Sequence, residues 1–260
     1  MTFDGLIVDL DGVVWLGGQP IDGAVEAVAE LRGRGKRLLF MTNDPSSSRA
    51  EQAARLKAIG IPAGADDVLT SAAATARFLA SHAETRGGPA FVIGSAAFQQ
   101  EIAEAGLELV RPTEARSADL VVVGGHSGFD FAELRAATRG VSAGAQLFGA
   151  GRDGFVPTAE GPEPATGAIV AAVEAATGVT ATVVGKPEPY MFEIAREALA
   201  DCERVAVVGD NLTSDIAGAK RAGLDAILVL TGAASASDVD TAEYRPDLVM
   251  RSLAEVAVWS

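Results

Sequence analysis

The residues of this chain best suited to chemistry are acids placed directly behind apolar runs. In Leu6-Ile7-Val8-Asp9-Leu10-Asp11-Gly12, three apolar residues run into two carboxylates one residue apart, and then into a glycine. Read as a buried strand, the stretch delivers Asp9 and Asp11 to its carboxyl end, where open parallel sheets bind ligands. Residues i and i+2 of a strand share a face. Gly12 announces a turn, however, so the two acids need not point the same way. Carboxylates this close repel unless a cation or a proton lies between them. The bland alternative is an Asp-Gly turn closing a strand.

Three more apolar runs end in the same manner. Residues 37–41 run into Thr42-Asn43-Asp44-Pro45, residues 182–184 into Gly185-Lys186-Pro187, and residues 205–208 into Gly209-Asp210-Asn211, with Asp215 close behind. Several carboxylates, a hydroxyl and an ammonium gathered at one sheet edge suit phosphate chemistry on a hard cation. Mg²⁺ takes oxygen ligands, usually one or two carboxylates with water and phosphate oxygens. Lysine and a hydroxyl can neutralise and orient the phosphate oxygens that remain.

The elements that must position these residues alternate between strand and helix from end to end, the signature of an α/β fold with a parallel sheet. Residues 24–34 read as a helix with Val25, Val28 and Leu31 on one face, ending at Gly35. Ser48 with Glu51 forms a capping-box pattern for a helix ending near Gly60. A short strand at 68–69 precedes a helix capped by Ser71 and reaching about His82. Residues 85–89 (Thr-Arg-Gly-Gly-Pro) are the best candidate linker. A second series follows, with strands at 90–93, 120–123 and 146–148 and helices at 99–105, 131–139 and 168–177. Residues 149–167, rich in Gly and Pro, make a connection too long to be simple, and loops of that length are usually functional. A helix at 190–199 and strands at 227–230 and 248–249 complete the set.

The 260 residues suffice for one large domain or two modest ones with a sizeable core. A hydrophobic fraction of 48% indicates a globular chain, and a net charge of -14 leaves no basic patch for a nucleic-acid partner. Cys202 is the single cysteine, which fits a reducing cytoplasm, and neither a signal peptide nor a membrane-spanning run is legible. His82 and His126 lack plausible ligand partners and read as structural. Trp15, just beyond the first acidic pair, either lines a substrate entrance or packs.

With these motifs in order, the chain resembles the haloacid dehalogenase (HAD) superfamily of phosphohydrolases. The family's four motifs match Asp9-Leu10-Asp11-Gly12, Thr42, Lys186 and the run from Gly209 to Asp215. Asp11-Gly12-Val13-Val14-Trp15, Thr42-Asn43 and the run from Gly185 to Phe192 further resemble the NagD-like class IIA subgroup. The resemblance covers nearly the whole chain. It implies a Rossmann-like core with a parallel sheet, formed by residues 1–80 and 183–260, and an inserted α/β cap domain at 81–182.

It also implies a cytoplasmic, Mg²⁺-dependent phosphomonoesterase acting on small phosphorylated metabolites: sugar, glycerol, glycolate or nucleotide monophosphates. Asp9 would be the nucleophile that becomes an aspartyl-phosphate. Asp11 would be general acid and then general base. The metal would be held by Asp9, the Asp11 carbonyl and Asp210, with Asn211 and Asp215 behind them. Thr42, the amide of Asn43 and Lys186 would hold the phosphoryl group. Relatives that pair through their caps leave a homodimer open, and no membrane is implied.

Two features depart from the pattern. Asp44 stands where many relatives have a second Asn. Phe155 and Val156 replace the Trp and His of the Asp-Pro-Trp-His-Pro stretch found in pyridoxal-phosphate phosphatases, which weakens that substrate assignment. Arg152, Asp153 and Phe155 are the cap residues expected to select the leaving group. Competing readings are a phosphomutase, for which there is no room for a small helical cap before Thr42, and a non-catalytic phosphate-binding scaffold. A signalling receiver domain is about half this length and carries its phosphorylated Asp on a middle strand.

Overall fold

Strand Gly5–Asp9 is buried along its whole length and lies inside a sheet whose order, by chain segment, is Leu248–Met250, Asp225–Val229, Val205–Gly209, Gly5–Asp9, Arg37–Thr42, Val68–Thr70. It pairs in parallel with Val205–Gly209 on one side and with Arg37–Thr42 on the other. The near-continuous apolar character of these strands follows from burial on both faces, as parallel sheets require. Helices Ala24–Gly33 and Leu253–Trp259 pack together beside one face. Phe3, Leu6, Val8, Leu10, Trp15, Leu31, Phe40, Leu56 and Leu253 share a core there. The computed structural model describes residues 2–82, 87–158 and 161–259, so part of the candidate linker (residues 85 and 86) lies outside the described residues.

By compactness the chain divides into two units. The first comprises Met1–Thr42, Arg49–Leu69 and Lys186–Ser260, and the second Asn43–Ser48 and Thr70–Gly185. The second unit therefore takes in helix Ser71–Ser81, which the expected boundary at 81 left with the first. This helix packs on Ala96–Glu104. Its cap is Thr70 rather than Ser71: the Thr70 hydroxyl accepts the Ala73 amide at 3.2 Å. Thr70 has extended backbone, as an N-cap does, whereas Ser71 is already helical.

The second unit has its own parallel sheet, ordered Thr182–Val183, Gln146–Gly149, Leu120–Gly125, Pro89–Gly94, Glu108–Leu109. Its strands alternate between two buried cores. Phe91, Ile93, Val121, Val123 and Leu147 face one; Ala90, Val92, Leu120, Val122 and Phe148 face the other. The connection expected to be a long loop holds an antiparallel hairpin, Phe155–Thr158 with Gly161–Pro164. Pro157, Pro162 and Pro164 disguise it, because proline cannot donate to a ladder and is confined to edges.

A second hairpin, Trp15–Leu16 with Gln19–Pro20, turns at Gly17 and Gly18, both at positive φ. Two-residue hairpin loops of this kind demand that conformation, which glycine adopts without strain.

Candidate active site

Register brings three of the four polar strand ends to one edge. Val8 lies opposite Val208 and Asp9 opposite Met41, so Asp9, Thr42 and Asp210 emerge side by side from adjacent strands. The fourth, Lys186, arrives differently. The strand before it, Thr182–Val183, belongs to the other sheet, and Lys186 is the first residue of the segment that returns to the first unit. The expectation that all four ends belong to a single sheet is corrected on this point. Strand pairing is non-local, and a short apolar run does not state which sheet it joins.

One carboxylate oxygen from each of Asp9, Asp210 and Asp215 lies within 4.8 Å of the others, and all three residues are buried. Into this cluster Lys186, only 3% exposed, projects its ammonium. Its Nζ donates to Asp9 Oδ1 and to Asp215 Oδ1, each at 2.6 Å. Burial pulls the lysine pKa down, but the charges of Asp215 and Asp9 and the hydrogen bonds to them outweigh it and hold the ammonium protonated. One ammonium does not neutralise three acids. Burial raises the Asp9 carboxyl well above its ordinary range; Lys186 opposes this, while Asp215 and Asp210 add to it. Asp210 is pushed up to about 6 by burial and then by the charge of Asp215, against the Ala233 amide and Lys186.

These raised acids fix a sign. A carboxyl whose folded pKa exceeds its unfolded value binds its proton more tightly in the fold, so stability falls as pH rises through that interval. For Asp210 the interval runs from 3.8 to about 6, which corresponds to roughly 3 kcal/mol. Metal-free protein is therefore expected to lose melting temperature between about pH 4 and pH 7, and saturating Mg²⁺ to flatten the decline. Scanning fluorimetry across that range checks this; a metal-free melting temperature that rises with pH over the interval contradicts it.

Local structure holds each acid in place. The Ala233 amide donates to Asp210 Oδ2 at 2.6 Å. Gly12 has φ +81°, and a Cβ there would lie 2.3 Å from Asp210 Oδ2; at Gly232 it would lie 2.0 Å away. Only glycine leaves room for this carboxylate at both positions. Asp215 sits in the π-helical turn Leu212–Ile216, and its Oδ2 accepts the Asn211 amide at 3.1 Å. Asn211 caps that turn: its side-chain oxygen accepts the amides of Thr213 and Ser214. Asp215 thus orients Lys186, and Asn211 supports the turn that carries Asp215.

Asp11 diverges from Asp9, as Gly12 implied: it is exposed and Asp9 buried. Its Oδ1 accepts the indole Nε1–H of Trp15 at 3.0 Å. Trp15 is 1% exposed, so its packing, one of the two readings, is observed. Its hydrogen bond to Asp11 had no signal in the sequence beyond the spacing of four residues.

Within the second unit, Asn43 Nδ2 donates to Asp153 Oδ2 at 2.7 Å, and the Asn43 carbonyl accepts the Ser71 hydroxyl at 2.9 Å. Asp44, the acid that departs from the family pattern, turns one oxygen onto Ser46, accepting its amide at 2.8 Å and its hydroxyl at 2.5 Å. Arg152 lies against Glu174 at 3.2 Å and donates to the Ala181 carbonyl at 3.1 Å. Phe155, by contrast, is 64% exposed. His126 pairs with Glu133 at 3.0 Å, and His82 stacks on Phe78. Cys202 is buried, and burial raises its thiol pKa.

A doubly covered parallel sheet with clustered acids and a lysine at its carboxyl edge is the architecture of the HAD-like hydrolases. The chain belongs to that family: a haloacid dehalogenase-like hydrolase model matches residues 6–108 and a HAD-hydrolase-like model residues 183–256. The D-glycerol 3-phosphate phosphatase of Mycobacterium tuberculosis is 40% identical over 240 residues, 92% of this chain and 66% of that relative, slightly under two thirds of its length. The ribonucleotide monophosphatase NagD of Escherichia coli is 33% identical over 261 residues, spanning 99% of this chain and 100% of the relative. Among solved structures, the M. tuberculosis glycerol phosphate phosphatase in complex with magnesium has a TM-score of 0.91 at 39% identity, covering 98% of this chain and 76% of that one. No helix among the described residues is long and apolar enough to cross a membrane.

Proposed function

We propose that this HAD-family phosphatase is a Mg²⁺-dependent phosphomonoesterase that hydrolyses small phosphorylated metabolites through an aspartyl-phosphate on Asp9. The observation that carries the reading is the buried cluster of Asp9, Asp210 and Asp215 around a single ammonium. Three acids against one lysine leave a charge deficit that a divalent cation fits, and an all-oxygen donor set suits Mg²⁺. Asp9, Asp210 and the Asp11 carbonyl would hold the ion. When bound it would supply positive charge to the phosphoryl oxygens.

The chain's own residues account for the rest. Lys186 turns Asp9 Oδ1 into a fixed nucleophile position, and Thr42, the Asn43 amide and Lys186 hold the phosphoryl group. An Asp9 oxygen bonds to phosphorus as the ester P–O bond breaks, and Asp11 gives its proton to the leaving oxygen. Water then attacks phosphorus, passing a proton back to Asp11, and the P–O bond to Asp9 breaks, releasing inorganic phosphate. Positioning and charge neutralisation dominate such transfers.

Arg152, Asp153 and Phe155 are the proposed selectors of the leaving group, and Phe155 is 64% exposed. Phe155→Ala is expected to reorder kcat/KM across sugar, glycerol, glycolate and nucleotide monophosphates while leaving p-nitrophenyl phosphate within about threefold, since one apolar contact discriminates by about 10- to 200-fold. Arg152→Ala and Asp153→Ala are expected to change the order as well. An unchanged order in Phe155→Ala removes the selector role. The same panel on the wild type tests the activity itself, and a protein that turns over no phosphomonoester with Mg²⁺ present is the non-catalytic scaffold instead. The acidic charge and lone buried cysteine favour small-molecule partners in the cytoplasm over nucleic acid.

A further inference from the structure

We infer that Trp15 is a positioning residue for phosphoryl transfer, holding the Asp11 carboxyl in the orientation from which it protonates the leaving group; this rests on the general-acid reading of Asp11. The two residues are four apart and share a built-in geometry. The Gly12 amide donates to the Trp15 carbonyl at 2.7 Å, and the Val14 and Trp15 amides donate to the Leu10 carbonyl at 2.9 and 3.1 Å. The Thr231 hydroxyl pins the Gly12 carbonyl at 2.6 Å. This tight turn brings the indole back under Asp11, where Nε1–H reaches Oδ1 at 3.0 Å.

The donor cannot wander. Trp15 is packed into the first unit's core with Leu10, Val13 and Leu56, and the Arg55 guanidinium lies 4.7 Å above its ring. Arg55 in turn donates to Gln52 at 3.2 Å. The Trp15 strand is held by the Gly17-Gly18 hairpin. An exposed carboxyl on a turn samples several rotamers. The indole fixes one carboxylate oxygen, and with it the plane of the group, and a buried indole N–H needs an acceptor in any case. The bond therefore serves both partners, and catalysis uses the constraint that packing imposes.

The test compares leaving groups. A p-nitrophenolate departs without a proton, whereas an alkoxide requires one, and kcat/KM reports the steps up to release of the leaving group. In Trp15→Phe, kcat/KM for the alkyl phosphate that the enzyme turns over fastest should fall at least 10-fold relative to p-nitrophenyl phosphate. The loss should sit in kcat, with KM within about twofold. In an Asp11→Ala background the same substitution should cost nothing further, because residues acting as a unit are non-additive.

An unchanged alkyl-to-aryl ratio in Trp15→Phe, or an equal further loss in the Asp11→Ala background, overturns the proposal. Should Trp15→Phe not fold, benzothienylalanine at position 15 keeps the ring's size and removes only the N–H, and the same criteria apply to it. An alkyl-to-aryl ratio unaffected by Asp11→Ala alone would overturn the general-acid reading itself, an outcome separate from a failure confined to Trp15.

Discussion

Asp9→Asn is expected to lower turnover of every phosphomonoester by more than about 10³-fold while leaving the protein folded, since an amide cannot form the acyl-phosphate bond. The site makes this a sharper test than a simple loss of activity. Asp9 is a buried acid beside Asp210 and Asp215, and its charge is costly there. Replacing it by the isosteric amide removes one negative charge and leaves Lys186 paired with Asp215 at 2.6 Å. Metal-free Asp9→Asn should therefore melt no lower than metal-free wild type. Acid-quenched wild type incubated with labelled substrate should retain label on the protein, and Asp9→Asn should retain none. Turnover of more than a few per cent of wild type in a well-purified sample would sink the covalent mechanism.

Removal of divalent metal is the second large effect. Dialysis against chelator is expected to abolish activity, and Mg²⁺ to restore it. With the ion absent, the three clustered carboxylates repel an incoming phosphate as well as each other, and Lys186 is already committed to two of them. Mg²⁺ binds the folded cluster and not the unfolded chain, so it stabilises by mass action, about 2.7 kcal/mol at a hundred times its Kd. The melting temperature should rise with Mg²⁺ in wild type and markedly less in Asp210→Asn. Full activity in excess chelator, or a thermal shift as large in Asp210→Asn as in wild type, would count against this cluster as the metal site.

The features of the fold that depend on local patterning were legible in the sequence. The apolar runs ending in Asp9, Thr42 and Asp210 are strands because buried parallel strands are apolar throughout, and their polar ends share an edge because neighbouring strands run the same way. What escaped depends on partners far along the chain. Strand Thr182–Val183 looks like the others but pairs with Gln146–Gly149. The hairpin Phe155–Pro164 hides behind its prolines. Helix Leu253–Trp259 was not read, although it packs against Ala24–Gly33 at the other end of the chain.

The site shows the same division. Residue types and motif order pointed to Asp9, Lys186 and Asp210. The links from Trp15 to Asp11 and from Asn43 to Asp153 are single hydrogen bonds between side chains, and no composition or period encodes them.

The chain passes from one unit to the other at four peptide bonds, Thr42-Asn43, Ser48-Arg49, Leu69-Thr70 and Gly185-Lys186. The first and last of these seams run directly beside residues assigned to phosphate binding. For recombination this is a strict constraint. A second unit borrowed from a relative must be spliced at all four bonds, and a spacer added at the first or the last would displace a motif residue by the length of the insertion. Evolution of new specificities by wholesale exchange of that unit is therefore open to this scaffold only where both incoming segments join the first unit at the same four bonds. Piecemeal change inside the segment carries no such toll.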